Sequence, residues 1–388
     1  MDFIGVGLVY PLFTSMLFDY TDPILPTTTT PQVRGMWLGI LIAMMPLTQF
    51  FSSPIWGALS DSQGRKKPLL YSLCFTILGY ITSFIAIVLS NIFILLASRL
   101  ILGFASGNMS IVQATISDLS SKKEKAKNFG LYSMALGSGF TLGPFFGGIL
   151  SAYGYAAPFL FTFVLALMNW GFAALFFKET NHHPVAKKVT WSSGISQLKI
   201  AYHLKGARTI LAASFLHNFG WSFFFEFIPI YLIATFALNS QHLGIFYGVA
   251  GALYALSSGL LIRPFVSRFK PETLFFFGIL MTALTLFTIP LIHQILWIFP
   301  LLFFLCFFVS FVTPNSTAAI SDAAGEKLQG EALGVLSSTN AAALVLSPLF
   351  SGAFVGTYPE MPIWGGGGIM IVAALLVLCI FRAKLFRT

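Results

Sequence analysis

The chain has 388 residues, 56% of them hydrophobic and only 9% charged, with a mean hydropathy of +0.83. A soluble domain carries about a quarter charged residues and has no way to hide so much apolar surface, so a water-soluble fold is excluded. The net charge of +9 sits in a few short loops, which points to a membrane surface and not to nucleic acid.

Twelve apolar segments of spanning length follow one another, at roughly 1–18, 36–59, 69–89, 91–117, 127–152, 155–177, 209–236, 241–265, 272–290, 293–320, 331–352 and 362–382. They predict an all-α integral membrane protein. The 43 Phe and 34 Gly agree with this, because small residues let lipid-packed helices approach closely. Of the 22 Lys and Arg, 20 fall in alternate loops and the C-terminal tail, while Arg34 lies in an opposite loop and Arg99 inside a segment. That split places both termini in the cytoplasm. Segment 1 begins at Met1, and no cleavable signal peptide is visible. Cys74, Cys306 and Cys379 all lie in apolar segments, lack ligand spacing and read as buried small hydrophobes. No phosphate loop, metal cluster or nucleophile motif is present, so the expectation is no enzyme, no cofactor and no direct ATP drive.

Segment 1 carries Asp2-Phe-Ile-Gly5-Val-Gly7-Leu-Val-Tyr-Pro11. Between segments 2 and 3 lies Gly57-Ala-Leu-Ser-Asp-Ser-Gln-Gly-Arg-Lys-Lys-Pro-Leu-Leu70. Gly57 and Gly64 permit a tight turn, and Asp61 is one carboxylate among Arg65, Lys66 and Lys67. Composition alone also accommodates a plain solvated basic loop. Segment 4 holds Arg99, about 12 Å below Asn91 at 1.5 Å per residue, in the string Arg99-Leu-Ile-Leu-Gly103. A charge at bilayer depth marks a functional site unless the side chain snorkels outward. Segment 5 contains Gly139, Gly143, Pro144, Gly147 and Gly148, a small-residue stripe beside a kink-forming proline. A matching stripe in segment 8 is Gly244, Gly248 and Ala252, and Gly143 and Gly147 are expected to sit against it.

The stretch 178–207 divides a six-segment bundle at 1–177 from a second at 208–388. This linker holds His182-His183-Pro184, which lacks a third metal ligand, and a weakly amphipathic run from Ile195 to Leu204. Segment 7 carries Glu226 close to Pro229, again at depth. Asn108, Gln113, His217, Asn218 and Asn315 read either as helix–helix hydrogen bonds or as ligand contacts. Trp221, Phe224, Phe225, Phe307 and Phe311 either face lipid or form a wall suited to an aromatic or cationic substrate. The halves are repeats. A shift of 204 residues superposes Ala114–Asp118 on Ala318–Asp322, Pro144 on Pro348 and Gly148 on Gly352. Parallel six-helix repeats mark a class of secondary transporters.

These strings together resemble the major facilitator superfamily. The 57–70 turn is similar to its signature loop, although Ser62 stands where a basic residue is common. The strings in segments 1, 4 and 5 are similar to motifs of the twelve-helix drug/proton antiporter branch, above all its tetracycline/proton antiporter group. Gly79, however, occupies a segment 3 position where that group carries an acid, and the 263–271 loop has no counterpart of Asp61. The resemblance implies a fold of two pseudo-symmetric six-helix bundles and a proton-coupled exporter of small lipophilic or cationic molecules, working by alternating access. It implies a monomer in the bacterial inner membrane whose partners are a small-molecule substrate and the lipid bilayer, with protons as the coupling ion. Asp2 is acidic at a family position, and Arg99 and Glu226 are charges at depth, Glu226 being otherwise an acid near the interface; these three are the candidates for proton coupling. By resemblance, segments 1, 4, 7 and 10 form the central cavity, where the polar and aromatic residues named above are the candidate substrate contacts. Gly57, Asp61, Gly64, Arg65 and Asp118 form a cytoplasmic gate, with Arg65 paired to Asp118 and Asp61 capping segment 11 near Gly330–Ala332. The alternatives are an uptake carrier, an exporter of a metabolite or siderophore on the same fold, and a receptor that transports nothing.

Overall fold

The computed structural model describes residues 2–18, 24–121, 124–181 and 208–385. The linker motifs His182-His183-Pro184 and Ile195–Leu204 lie outside the described residues, as do Lys122 and Lys123. Among the described residues there is no strand, and eleven helical spans are long and apolar enough to cross a membrane. The helix α1 (Asp2–Phe18), of 17 residues, accounts for segment 1.

The next helices are α2 (Pro31–Gln63), α3 (Lys66–Val88), α4 (Ile92–Ser106), α5 (Met109–Leu119), α6 (Lys125–Leu150) and α7 (Ala156–Phe176). The α3–α4 link is tight because Asn91 caps α4, its side chain accepting from Phe93 N at 3.0 Å and Ile94 N at 3.1 Å. Such a cap contributes about 1 kcal/mol. The second half contains α8 (Arg208–Phe225), α9 (Ile228–Phe236), α10 (Ser240–Leu256), α11 (Arg263–Val266), α12 (Pro271–Thr288), α13 (Ile298–Val309), α14 (Val312–Val355) and α15 (Met361–Leu385).

Three expectations are corrected. Arg34 is not in a loop: Pro31 opens α2 early, and Arg34 is fully buried in its first turn. Cys306 is buried, but Cys74 and Cys379 are exposed. Finally, α14 continues through the loop expected between segments 10 and 11. No helix begins at Gly330–Ala332, so amides expected to be free for Asp61 are committed to helical bonding. The side chains of 324–331 lie outside the described residues.

The chain clusters into two compact units. One comprises Met1–Thr29, Ile40–Gly194 and Leu238–Gly248, the other Thr30–Gly39, Ile195–Ala237 and Val249–Thr388. Within the first unit α6 packs along α1, and α3 packs along α4 and α7. Within the second, α8 packs on α14 and α15, and α12 packs on α13, α14 and α15. In segment terms, 5 on 1 and 3 on 4 and 6 recur as 11 on 7 and 9 on 10 and 12. The repeat seen in sequence is thus a repeat of helix pairings. Core clusters lie at Trp56, Leu69, Leu73 and Ile111 in the first unit, and at Ile262, Leu274 and Phe311 in the second.

The glycine stripes divide their work differently from the expectation. Gly143 and Gly147 face the backbone of α1, not segment 8. A Cβ on Gly143 would come within 2.9 Å of Leu8 N, and one on Gly147 within 3.0 Å of Leu8 O. Gly148 is the residue that meets segment 8: its added Cβ would lie 2.6 Å from the Gly244 Cα. Gly352, its repeat equivalent, meets the α2 glycine Gly39 in the same way, 3.0 Å from Cα to the built Cβ. A turn of 100° per residue explains the split, since 143 and 147 share a face and 148 points away from it. Backbone cannot yield as a flexible side chain does, so an added methyl costs about 1–3 kcal/mol here. Gly143→Ala and Gly148→Ala should both lower folded yield and melting temperature in detergent, whereas Gly137→Ala, with nothing within 4 Å, should not. Equal yields from all three variants would contradict this packing.

Candidate functional site

In the first unit the 57–70 turn is built around one guanidinium. The chain leaves α2 at Gln63, passes Gly64 at φ +87°, and enters α3 at Lys66. Arg65, 7% exposed, donates from Nε to Asp118 Oδ2 at 2.8 Å. Its Nη1 donates to Asp61 Oδ1 at 2.7 Å and to Ser60 Oγ at 2.8 Å. Burial works against the Arg65 charge, but hydrogen bonds and attraction to Asp118 and Asp61 outweigh it, so its pKa stands above the ordinary value. Asp61, Gly64, Arg65 and Asp118 are therefore brought together. Gly57 lies one turn away, in ordinary contact with Ser110.

A residue that the sequence reading passed over completes this cluster. The Glu179 carboxylate, just beyond α7, accepts from Arg65 N at 2.7 Å and Lys66 N at 3.0 Å, the amides that open α3. It also accepts from Thr180 N and Asn181 N, both at 2.9 Å. An acid from a distant element thus caps the positive end of α3. Gly64 makes room for it, because a Cβ there would lie 2.5 Å from Glu179 Oε2. Asn181 Nδ2 donates to the Asp61 carbonyl at 3.3 Å, near the end of α2. Partial burial raises the Glu179 pKa, but the amides of Arg65, Asn181, Lys66 and Thr180 lower it more, and the net value is below the usual carboxylate range.

Segment 4 is broken. Helix α4 stops at Ser106, Gly107 and Asn108 form a turn, and α5 resumes at Met109. Asn108 N bonds Ala105 O, which leaves Phe104 O without its helical donor. Side chains of α2 take over: Trp56 Nε1 donates to Phe104 O at 2.7 Å, Gln49 Nε2 to Ser106 O at 3.2 Å and Ser52 Oγ to Gly103 O at 3.3 Å. Asn108 is buried, and its Oδ1 has no hydrogen-bond partner. Arg99 is 3% exposed, with Nη2 2.9 Å from Met45 Sδ and its guanidinium 5.2 Å from the Phe13 ring centroid. It does not snorkel. Gln113 is exposed and donates to Tyr132 OH at 3.4 Å. Gly139 and Pro144 are buried in α6. The Asp2 side chain lies outside the described residues.

In the second unit, segments 7 and 10 are broken as well. Pro229 has no N–H to continue α8, so the chain turns at Glu226 and Phe227 and restarts as α9. Glu226, 4% exposed, sits at that break with Oε2 unpartnered. His217 is buried with Nδ1 unpartnered. Asn218 Nδ2 donates to Asn340 Oδ1 at 3.0 Å, a link from α8 to α14. Trp221 stacks on Phe225, with centroids 5.1 Å apart at 17°, and leans on Phe224. In segment 10 the chain turns at Ser310 and Phe311, where Ser310 Oγ donates to Phe307 O at 2.6 Å, and buried Asn315 donates from Nδ2 back to Phe311 O at 2.7 Å. Phe307 and Phe311 pack edge-on to Phe265. Among the described residues no cluster of His, Cys, Asp or Glu could hold a metal ion.

Broken, apolar helices with a few buried polar groups mark a membrane-spanning protein, and comparison with known proteins gives its family. The Major Facilitator Superfamily model matches residues 1–305 and 258–387, and the chain belongs to that family. It is 28% identical over 382 residues to the quinolone resistance protein NorA of Staphylococcus aureus (strain COL), covering 97% of this chain and 92% of that protein. It is 25% identical over 385 residues to the class C tetracycline resistance protein of Escherichia coli, covering 98% and 93%. Among solved structures, the human organic anion transporter MFSD10 (TETRAN) aligns with a TM-score of 0.71 at 21% identity, covering 97% of this chain and 96% of that one. A D-xylose–proton symporter aligns at 0.74 and 16% identity, covering 97% and 95%. Both share the fold. The protein is a transporter, not an enzyme.

The Glu179 cap generates a pH prediction. Its folded pKa is lowered, so its contribution to stability is full above the unfolded value near 4.5 and is lost as pH falls through the folded value. Glu179→Gln should melt below the wild type at neutral pH, and the gap should narrow in a pH series that descends below about 4. A gap that is constant with pH would show that Glu179 acts by shape alone.

Proposed function

We propose that the protein is a proton-coupled antiporter that exports small lipophilic or cationic molecules from a bacterial cell by alternating access, with both termini in the cytoplasm. The observation that carries this reading is Glu226, a carboxyl group buried at a helix break with one oxygen unpartnered. A charge buried without a partner costs several kcal/mol. That cost drives proton uptake when the site closes and release when water or a cationic substrate reaches it. Asp2 and Arg99 belong to the same proposed proton-coupling set.

Within the first unit Asn108 Oδ1, and within the second His217 Nδ1, are buried and unpartnered, which makes each a candidate ligand contact, and the second unit's Trp221–Phe225 stack adds aromatic faces. The polar and aromatic residues at Gln113, Asn218, Phe224, Phe307, Phe311 and Asn315 complete the proposed substrate set. The Arg65 cluster is the proposed cytoplasmic gate. Its carboxylates are about a quarter exposed, so each pair contributes on the order of 1 kcal/mol. That is weak enough for a substrate or proton to open it in each cycle. The resistance proteins among its relatives support outward transport.

The test is a panel of quinolones, tetracyclines and lipophilic cations in proteoliposomes with an imposed pH gradient. The wild type should drive at least one against its own gradient. Glu226→Gln should reduce pH-driven flux to background while keeping substrate binding. Full pH-driven flux in both Glu226→Gln and Asp2→Asn would remove these acids from coupling. Accumulation in the opposite direction would make the protein an uptake carrier.

A further inference from the structure

In the second unit, a cavity of about 430 Å³ opens where the C-terminal turn of α9 meets the 357–360 loop and the start of α15. This volume is in the range of small-ligand sites. The proposed orientation puts it on the outer side, opposite the basic loops, with Thr235 nine residues along segment 7 from Glu226. Its lining includes Thr235, Tyr358, Glu360, Met361 and Trp364, and Glu360 is the only charged residue in that lining. Tyr358 and Trp364 are 64% and 40% exposed. The Trp364 indole is fixed on two sides: Nε1 donates to Glu360 Oε2 at 3.3 Å, and the ring lies 5.6 Å from that of Phe287. One carboxylate is thereby held beside one aromatic face, with a second ring and a thioether in the same mouth.

This chemistry narrows the ligand. Ca²⁺ and Mg²⁺ need six or more oxygen ligands and Zn²⁺ needs several His, Cys or carboxylate ligands, whereas the lining supplies a single carboxylate. An anion meets a full negative charge. The N-terminus of α15 contributes about half a positive charge, but the carbonyl end of α9 offsets it, and Glu360 leaves the balance negative. We propose that this cavity is a binding site for organic cations of the quaternary ammonium type, held by the Glu360 carboxylate and by cation–π contact with Trp364 and Tyr358. The same ammonium chemistry occurs in free solutes and in the choline headgroup of a lipid. The site is independent of proton coupling and rests on the proposed function only for the side of the membrane it faces.

The probe is benzyltrimethylammonium, titrated into the purified full-length chain in phosphatidylglycerol nanodiscs without any gradient. The wild type should bind it, and Glu360→Gln and Trp364→Leu should each weaken binding roughly three- to tenfold. Tyr358→Leu, at an exposed position that leaves the fold intact, should weaken it less, and Glu360→Asp should recover part of the loss. Phosphatidylcholine nanodiscs that compete with the probe would assign the site to a headgroup, and absence of competition would assign it to a free solute; both support ammonium recognition. Equal affinity in wild type, Glu360→Gln and Tyr358→Leu would overturn the proposal and leave the rings as interfacial anchors. A wild type that binds the probe here but moves no panel compound would fail the transport reading and leave this site standing.

Discussion

A carbonyl freed inside a bilayer has no water to bond, and this constraint governs how the protein breaks its helices. Among the described residues, segments 4, 7 and 10 are each interrupted by a turn, and at each one a side-chain donor takes up a carbonyl that the turn frees. In segment 4 the donors come from α2, where Trp56, Gln49 and Ser52 reach the carbonyls of Phe104, Ser106 and Gly103. In segment 10 Phe311 N turns to Phe308 O, and Ser310 Oγ donates at 2.6 Å to Phe307 O, which is left without its helical donor. In segment 7, ahead of Pro229, Phe227 N turns to Phe224 O, and Ser351 Oγ of α14 donates at 3.1 Å to the freed Phe223 O. Among the buried side-chain atoms that have no hydrogen-bond partner, those of Glu226 and Asn108 lie at breaks, whereas those of Ser214, His217 and Thr282 lie within continuous helix. Discontinuous helices with polar groups at the gap are where secondary transporters build their sites.

The same economy operates at the cytoplasmic turn. Helix α3 begins without a side-chain cap of its own, and Arg65 at its N-cap makes no capping bond. The cap arrives from Glu179, 114 residues away, through a gap that only glycine at position 64 leaves open. One short stretch after α7 therefore holds the end of α2, the start of α3 and, through Thr180 and Asp118, the end of α5. A gate built on Arg65 inherits its position from that stretch.

Hydropathy and charge made the helical segments, the repeat and the family legible, because lipid demands long apolar runs and the repeat preserved its register. Arg65 was visible because its motif string is local, and its pairing with Asp118, 53 residues away, followed from the family resemblance. The rest was less visible for physical reasons. The break at Gly107–Asn108 has no proline to announce it and depends on partners in another helix. Glu179 looks like any acid after a span until the α3 amides are seen around it. Arg34 read as a loop residue because charge alone cannot distinguish a wet arginine from one buried in a helix's first turn. The glycine stripe was visible, but which helix each glycine faces depends on rotation about the axis, and Gly148 differs from Gly147 by only one step of 100°.

The central claim is that one buried carboxyl at a helix break exchanges its proton against substrate. The most direct measurement is proton release on substrate addition, read with a pH indicator in weakly buffered detergent solution from a fixed starting pH. The wild type should release protons in proportion to bound substrate, and Glu226→Gln should bind substrate without that release. Undiminished release from Glu226→Gln would contradict the account and place the coupling proton elsewhere in the chain.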